Sequence, residues 1–94
     1  MNEKLIERKL TREIKKRGGL CIKLLPFLET GLPDREVILP KGIHCYVELK
    51  STGAILSPKQ LIWRNRLQKR GHIHWSILTE KDYLCFLEWL MLVT

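Results

Sequence analysis

Apolar positions along this chain fall into alternating blocks of helical and extended spacing. Over residues 2–17, Ile6, Leu10 and Ile14 recur every four positions and form one stripe, which predicts an amphipathic helix. Gly18-Gly19 ends it. A first strand is expected from Leu20 to Leu25, stopped by Pro26, and Glu29-Thr30-Gly31-Leu32-Pro33-Asp34 has loop composition. A short strand from Glu36 to Leu39, a tight connection at Pro40-Lys41-Gly42 and a third strand from Ile43 to Lys50 read as an antiparallel hairpin. After a loop from Ser51 to Leu56, Ser57-Pro58 supplies an N-cap and a proline at the first helical position. That helix runs to about Arg70 and closes at Gly71; Ile73 to Leu78 is a fourth strand, and Thr79 caps a last helix reaching about Leu92. The order α-β-β-β-α-β-α predicts one α/β domain over residues 1–94, with a mixed central sheet flanked by helices.

The informative positions are those that break the pattern. In the third strand Ile43, Cys45, Val47 and Leu49 share one face, while His44, Tyr46, Glu48 and Lys50 share the other. Glu48 and Lys50 therefore project from the same side, roughly 7 Å apart. A carboxylate and an ammonium at the end of a core-forming strand are costly to desolvate unless something offsets the cost. The expected partner is a divalent cation shared by Glu48 and Asp34, which stands at the mouth of a strand after a Gly-Pro loop. Hydrolysis of a phosphodiester needs such an ion, a positioned water and a nearby cation or base. Mg²⁺ or Mn²⁺ would take the two carboxylates and a backbone carbonyl, with Leu49 the natural candidate. Lys50 would orient or help deprotonate the attacking water, and Gln60, in the first turn of the second helix, would aim at water or phosphate. Glu7 falls inside the apolar stripe of the first helix and would contact the metal directly or through water; Glu3 lies one turn earlier on the same side.

Each of these residues also has a plainer explanation. Glu48 with Lys50 could form an ion pair on an exposed edge, Glu7 a rim pair with Lys or Arg, Asp34 a turn and Gln60 a helix surface. Their joint occurrence on elements able to converge favours a site. His44 and Tyr46 either line the cleft or occupy a partly exposed strand face. His72 and His74 have no metal-ligand spacing and are assigned no chemistry, and Trp63 is placed in the core beside Gln60 and Leu67.

Composition narrows the class of partner. The chain of 94 residues is 45% hydrophobic, as a folded protein is, and carries a formal net charge of +7, which favours a polyanion. Arg8, Lys9, Arg12, Lys15 and Lys16 occupy the arc opposite the first helix's stripe, and Lys59, Arg64, Arg66, Lys69 and Arg70 on the second helix face no acid. Of these, Lys9, Arg12, Lys16, Arg64 and Lys69 are candidates for gripping DNA phosphates without reading bases. Cys21, Cys45 and Cys85, without CxxC spacing, read as reduced, buried thiols of an intracellular protein. No secretory pattern opens the chain, and the apolar run from Leu84 to Val93 is interrupted by Glu88, so it reads as a core helix rather than a membrane span. A cytoplasmic protein with no membrane partner is expected.

Three motifs together resemble a known family. Gly31-Leu32-Pro33-Asp34-Arg35, Tyr46-Val47-Glu48-Leu49-Lys50 and Leu56-Ser57-Pro58-Lys59-Gln60 are similar to the VRR-NUC (virus-type replication-repair nuclease) branch of the PD-(D/E)XK superfamily. The opening Glu3-Lys4-Leu5-Ile6-Glu7, and Gly18-Gly19 before a strand ending in Lys23, resemble it too. The resemblance implies a restriction-endonuclease-like PD-(D/E)XK core with metal ligands at Asp34 and Glu48. It also implies a catalytic lysine at Lys50, the helix glutamine at Gln60 and the N-terminal helix acid at Glu7 in preference to Glu3. Lys23 and Arg35 join the expected DNA contacts. Stand-alone members of this size resemble phage proteins that act as homodimers on branched DNA such as four-way (Holliday) junctions, here in the host cytoplasm. No small-molecule cofactor is implied. The alternatives are a non-catalytic DNA-binding module with the same fold, or a flap or restriction-type nuclease.

Overall fold

A computed structural model describes residues 2–25 and 29–94. Helix α1 (Glu3–Lys16) leads into strand β1 (Leu20–Lys23), followed by β2 (Arg35–Ile38), a 3-10 turn (Pro40–Gly42) and β3 (His44–Leu49). Helix α2 (Pro58–Lys69), β4 (Ile73–Ile77) and α3 (Glu80–Val93) complete the chain. The expected order is the observed one, and most boundaries move by a residue or two. The third strand ends at Leu49, leaving Lys50 just beyond it. The expected stop of β1 at Pro26 lies outside the described residues.

Local chemistry accounts for the helix starts. The Asn2 side chain accepts the Leu5 amide proton to cap α1. Ser57 and Gln60 form a reciprocal capping box on α2, as do Thr79 and Asp82 on α3. The sheet order is β1-β2-β3-β4. β1 with β2 and β2 with β3 are antiparallel, whereas β3 and β4 are parallel and need α2 as their crossover.

Strand alternation sends Val37, Cys45, Val47, Leu49 and Ile77 to one face, where Ile6, Leu10 and Ile14 of α1 and Tyr83, Phe86 and Leu90 of α3 cover them. Trp75 joins this layer, its ring meeting Phe86 edge-on at 5.6 Å. The opposite face carries Glu36, His44, Tyr46, Glu48, His74 and Ser76, and α2 lies over its β4 side.

Two packing expectations are corrected. Trp63 is half-buried rather than core, and α2 has no fully buried residue: Leu61, Ile62 and Trp63 are consecutive instead of helically spaced, so they build no stripe. The Arg66 guanidinium instead stacks over the Trp63 ring at 5.3 Å. Of the thiols only Cys45 is buried; Cys21 is half-buried and Cys85 exposed. On α3 the inward positions are Tyr83, Phe86 and Leu90, which turns Cys85 outward.

The loop before β2 is fitted against α2 by a glycine. Gly31 has φ +88, and a Cβ there would come within 2.7 Å of the Lys59 backbone in the first turn of α2. Gly53 has φ +92, but a Cβ there would meet nothing within 4 Å. Both alanine variants take on the left-handed strain, of about 1 kcal/mol, and only Gly31→Ala adds a backbone collision. Thermal denaturation should therefore show a small loss for Gly53→Ala and a clearly larger one for Gly31→Ala, with equal losses counting against this account of the loop.

Candidate active site

The candidate residues meet where β3 ends and α2 begins. Glu48 alternates onto the sheet face opposite the main core, yet α2 covers it so fully that its residue is only 2% exposed. Its Oε1 accepts a hydrogen bond from Gln60 Nε2 at 2.6 Å. Its Oε2 is buried with no hydrogen-bond partner among the described residues. Asp34, immediately before β2, is held by the Leu49 backbone amide, which donates to Oδ2 at 2.7 Å. Carboxylates distant in sequence are thus each fixed by a hydrogen bond near the end of β3.

Electrostatics mark the pair as strained in its charged form. Burial pushes the Glu48 carboxyl up to about 8, and the neighbouring Asp34 charge adds to the rise. Burial likewise raises Asp34. Lys50 pulls in the other direction on both acids, which places its ammonium close enough to count at each. Two carboxylates sharing one end of a sheet, one with an unpartnered buried oxygen, suit a hard divalent cation whose ligands are oxygens. Among the described residues no group of three His, Cys, Asp or Glu side chains is placed to hold a metal.

Gln60 is turned inward rather than toward open solvent. Its Oε1 accepts from the Ser57 amide at 2.8 Å as half of the capping box, so its Nε2 must face Glu48. Glu7, expected as a third acid, forms an ion pair with Arg35, a pairing the spacing of the two residues could not reveal. It still raises Asp34 through its charge, while Glu3 does the same to Glu48. Arg35 also donates to the Cys21 carbonyl, so it ties α1, β1 and the start of β2 together beside the acids.

Other expected residues are placed less directly. His44 and Tyr46 sit on the Glu48 face but form their own cluster: His44 Nε2 lies 3.0 Å from Glu36 Oε2, and the His44 and Tyr46 rings meet edge-on at 4.8 Å. His72 joins that cluster, its ring 6.2 Å from His44. His74, assigned no chemistry, is lowered to about 4 by burial and by Arg64, so it stays neutral beneath α2. Arg64 is half-buried with an unpartnered Nε among the described residues, Lys9, Lys16 and Lys69 are exposed, and Arg12, Lys23 and Arg35 line a single groove. Ser57, as the residue that orients Gln60, was not singled out in the sequence; the Ser-x-x-Gln capping box was the available signal.

No protein-family model matches the chain. A phage protein named "Putative nuclease p44", from Acyrthosiphon pisum secondary endosymbiont phage 1, is 39% identical over 72 residues, 77% of each chain. A solved structure of a VRR_NUC domain superposes with a TM-score of 0.81 at 28% identity, over 92% of this chain and 94% of that one. Relatedness in sequence to a phage nuclease and in shape to the VRR_NUC domain converge on the fold that Asp34, Glu48, Lys50 and Gln60 implied: the chain belongs to the VRR-NUC family of nucleases.

Proposed function

We propose that the protein is a Mg²⁺- or Mn²⁺-dependent endodeoxyribonuclease acting as a homodimer on branched DNA, four-way junctions foremost. The observation that carries the reading is the pairing of Asp34 with a buried Glu48 whose second oxygen has no partner among the described residues. Asp34, Glu48 and the Leu49 carbonyl would hold the ion, with Glu7 reaching it directly or through water. Bound there, the ion supplies neutralisation of charge on the phosphoryl oxygens and a more acidic attacking water.

The chain's own residues set the stage for that chemistry. The Leu49 amide fixes the Asp34 carboxylate, and Gln60 fixes that of Glu48. Lys50 brings a cation to both acids and would orient the attacking water and counter the charge that develops as it loses its proton. Basic side chains of α1 and α2, with Lys23 and Arg35, meet phosphates without reading bases, so binding weakens steeply with salt. Homodimerisation is supported by the apolar side chains that α3 leaves outside, Leu84, Met91 and Leu92 at 59%, 59% and 86% exposure. A two-fold pair presents two sites to the symmetric strands of a junction.

The direct test is cleavage of a panel of duplex, flap, fork, four-way junction and RNA substrates with and without Mn²⁺, alongside light scattering for the dimer. Asp34→Ala and Lys50→Ala are each expected to lower junction cleavage by at least a thousandfold while binding stays within about threefold, since they remove chemistry rather than grip. Binding lost in parallel, with circular dichroism unchanged, assigns these residues to the grip instead.

Stability should report the same pair through pH. The folded state holds the Glu48 proton up to about pH 8, whereas an unfolded glutamate releases it near its ordinary value of 4.5. Between these values the folded state binds more protons, so without divalent cation stability is fully present below 4.5 and falls as pH rises toward 8. Glu48→Gln should flatten that decline. Mn²⁺ should raise the melting temperature of the wild type at pH 8 by several degrees through binding to the folded form. An equal rise in Asp34→Asn would show that the ion sits elsewhere.

A further inference from the structure

A groove between α1 and the sheet-edge strand β1 opens beside Asp34. Lys4, Arg8, Arg12 and Lys15 line its helical side, Lys23 and Arg35 its strand side, and it encloses about 610 Å³. Positions 4, 8, 12 and 15 recur at helical spacing, so their side chains form one row along α1. From Lys4 to Lys15 that row extends about 16 Å at the helical rise. At 3.4 Å of axis per phosphate on one strand, this length matches roughly four to five phosphates.

Charge on this flank is left unspent. The acid in the groove is Glu7, and it is already paired with Arg35. Lys4, Arg8, Arg12, Lys15 and Lys23 form no ion pair among the described residues, whereas Arg17, at the end of the same helix, pairs with Glu13. No aromatic side chain lines the groove among the described residues, so it offers nothing for bases to stack on. Its strand side reaches the site, because Arg35, which lines it and pairs with Glu7, directly follows Asp34.

We propose that this groove holds the sugar-phosphate backbone of one DNA strand as it approaches Asp34. This deepens the nuclease reading above and rests on it. The grip then depends on the row of α1 that lines the groove, including Lys4, Arg8 and Lys15, and not on net charge spread over the surface.

The test removes equal charge from two places. Arg8→Gln with Lys15→Gln empties the middle and far end of the row, and Lys41→Gln with Lys81→Gln takes the same charge from exposed positions outside the groove. Fluorescence anisotropy with a labelled four-way junction and a labelled duplex, in EDTA and over a salt series, gives affinity and its salt slope. The groove pair should weaken binding at least tenfold and reduce the slope by about 2 units, as for two lost phosphate contacts. The outside pair should stay within about twofold. Equal losses from both pairs, or none from the groove pair, overturn the groove. Mn²⁺-dependent nicking by the wild type is read in parallel: nicking with normal binding by the groove pair sinks only the groove, whereas groove-dependent binding without any nicking sinks the nuclease reading alone. All four substituted positions are exposed, and circular dichroism checks that both variants fold.

Discussion

Burial of the Glu48 carboxylate is the constraint on which the site depends. A carboxylate taken out of water costs several kcal/mol unless it is paired, hydrogen-bonded or protonated. Here one oxygen is satisfied by Gln60 and the other by no described side chain, and the acid answers by holding its proton to about pH 8. A chain selected for stability alone would place an apolar residue in that slot, as it does at the neighbouring Val47 and Leu49. On the proposed reading, that cost would be offset when the same unpartnered oxygen takes a cation. Stability and chemistry therefore compete at a single atom.

Gln60 links that atom to the start of a helix. The amide has one acceptor and one donor group, and the capping box engages the acceptor with the Ser57 N–H. The donor is thereby aimed at Glu48 without any further packing. Glutamate would serve the cap equally well but would face Glu48 with a second negative charge. A residue chosen only for capping would not discriminate between the two; the neutral amide is what the buried acid requires. Because α2 buries no residue completely, this contact, the Arg64–His74 neighbourhood and the Gly31 loop carry much of its docking.

The sequence made legible whatever depends on period and local chemistry. Alternation in Ile43–Lys50 placed Glu48 away from the core face, and the stripe of Ile6, Leu10 and Ile14 placed α1, both as found. Caps at Ser57 and Thr79 located helix starts to the residue. What was not legible depends on pairing across the fold. Glu7 was read as a possible ligand because it interrupts a stripe, and nothing local announced Arg35, which reaches it only once β1 and β2 have paired. Trp63 was assigned to the core by the helix side it shares with Gln60 and Leu67, and Cys85 by its apolar segment. The structure leaves Trp63 half-buried and Cys85 exposed, because α2 buries no residue completely and α3 turns Tyr83, Phe86 and Leu90 inward.

The distribution of acids bears on when a substrate can enter. The chain has ten Asp and Glu against seventeen Lys and Arg, yet Glu3 and Glu7 both press on the Asp34–Glu48 pair and raise it. A basic molecule has thus gathered negative charge at one end of its sheet and flanked it with unpaired cations along α1. For a polyanion this arrangement is attractive at the groove and repulsive at the acids. Like charges at about 4 Å oppose each other by some 4 kcal/mol at the effective dielectric near a protein surface, more than one surface ion pair returns. A proton on Glu48, which its burial retains to about pH 8, removes part of that repulsion, and the cations along α1 offset the rest.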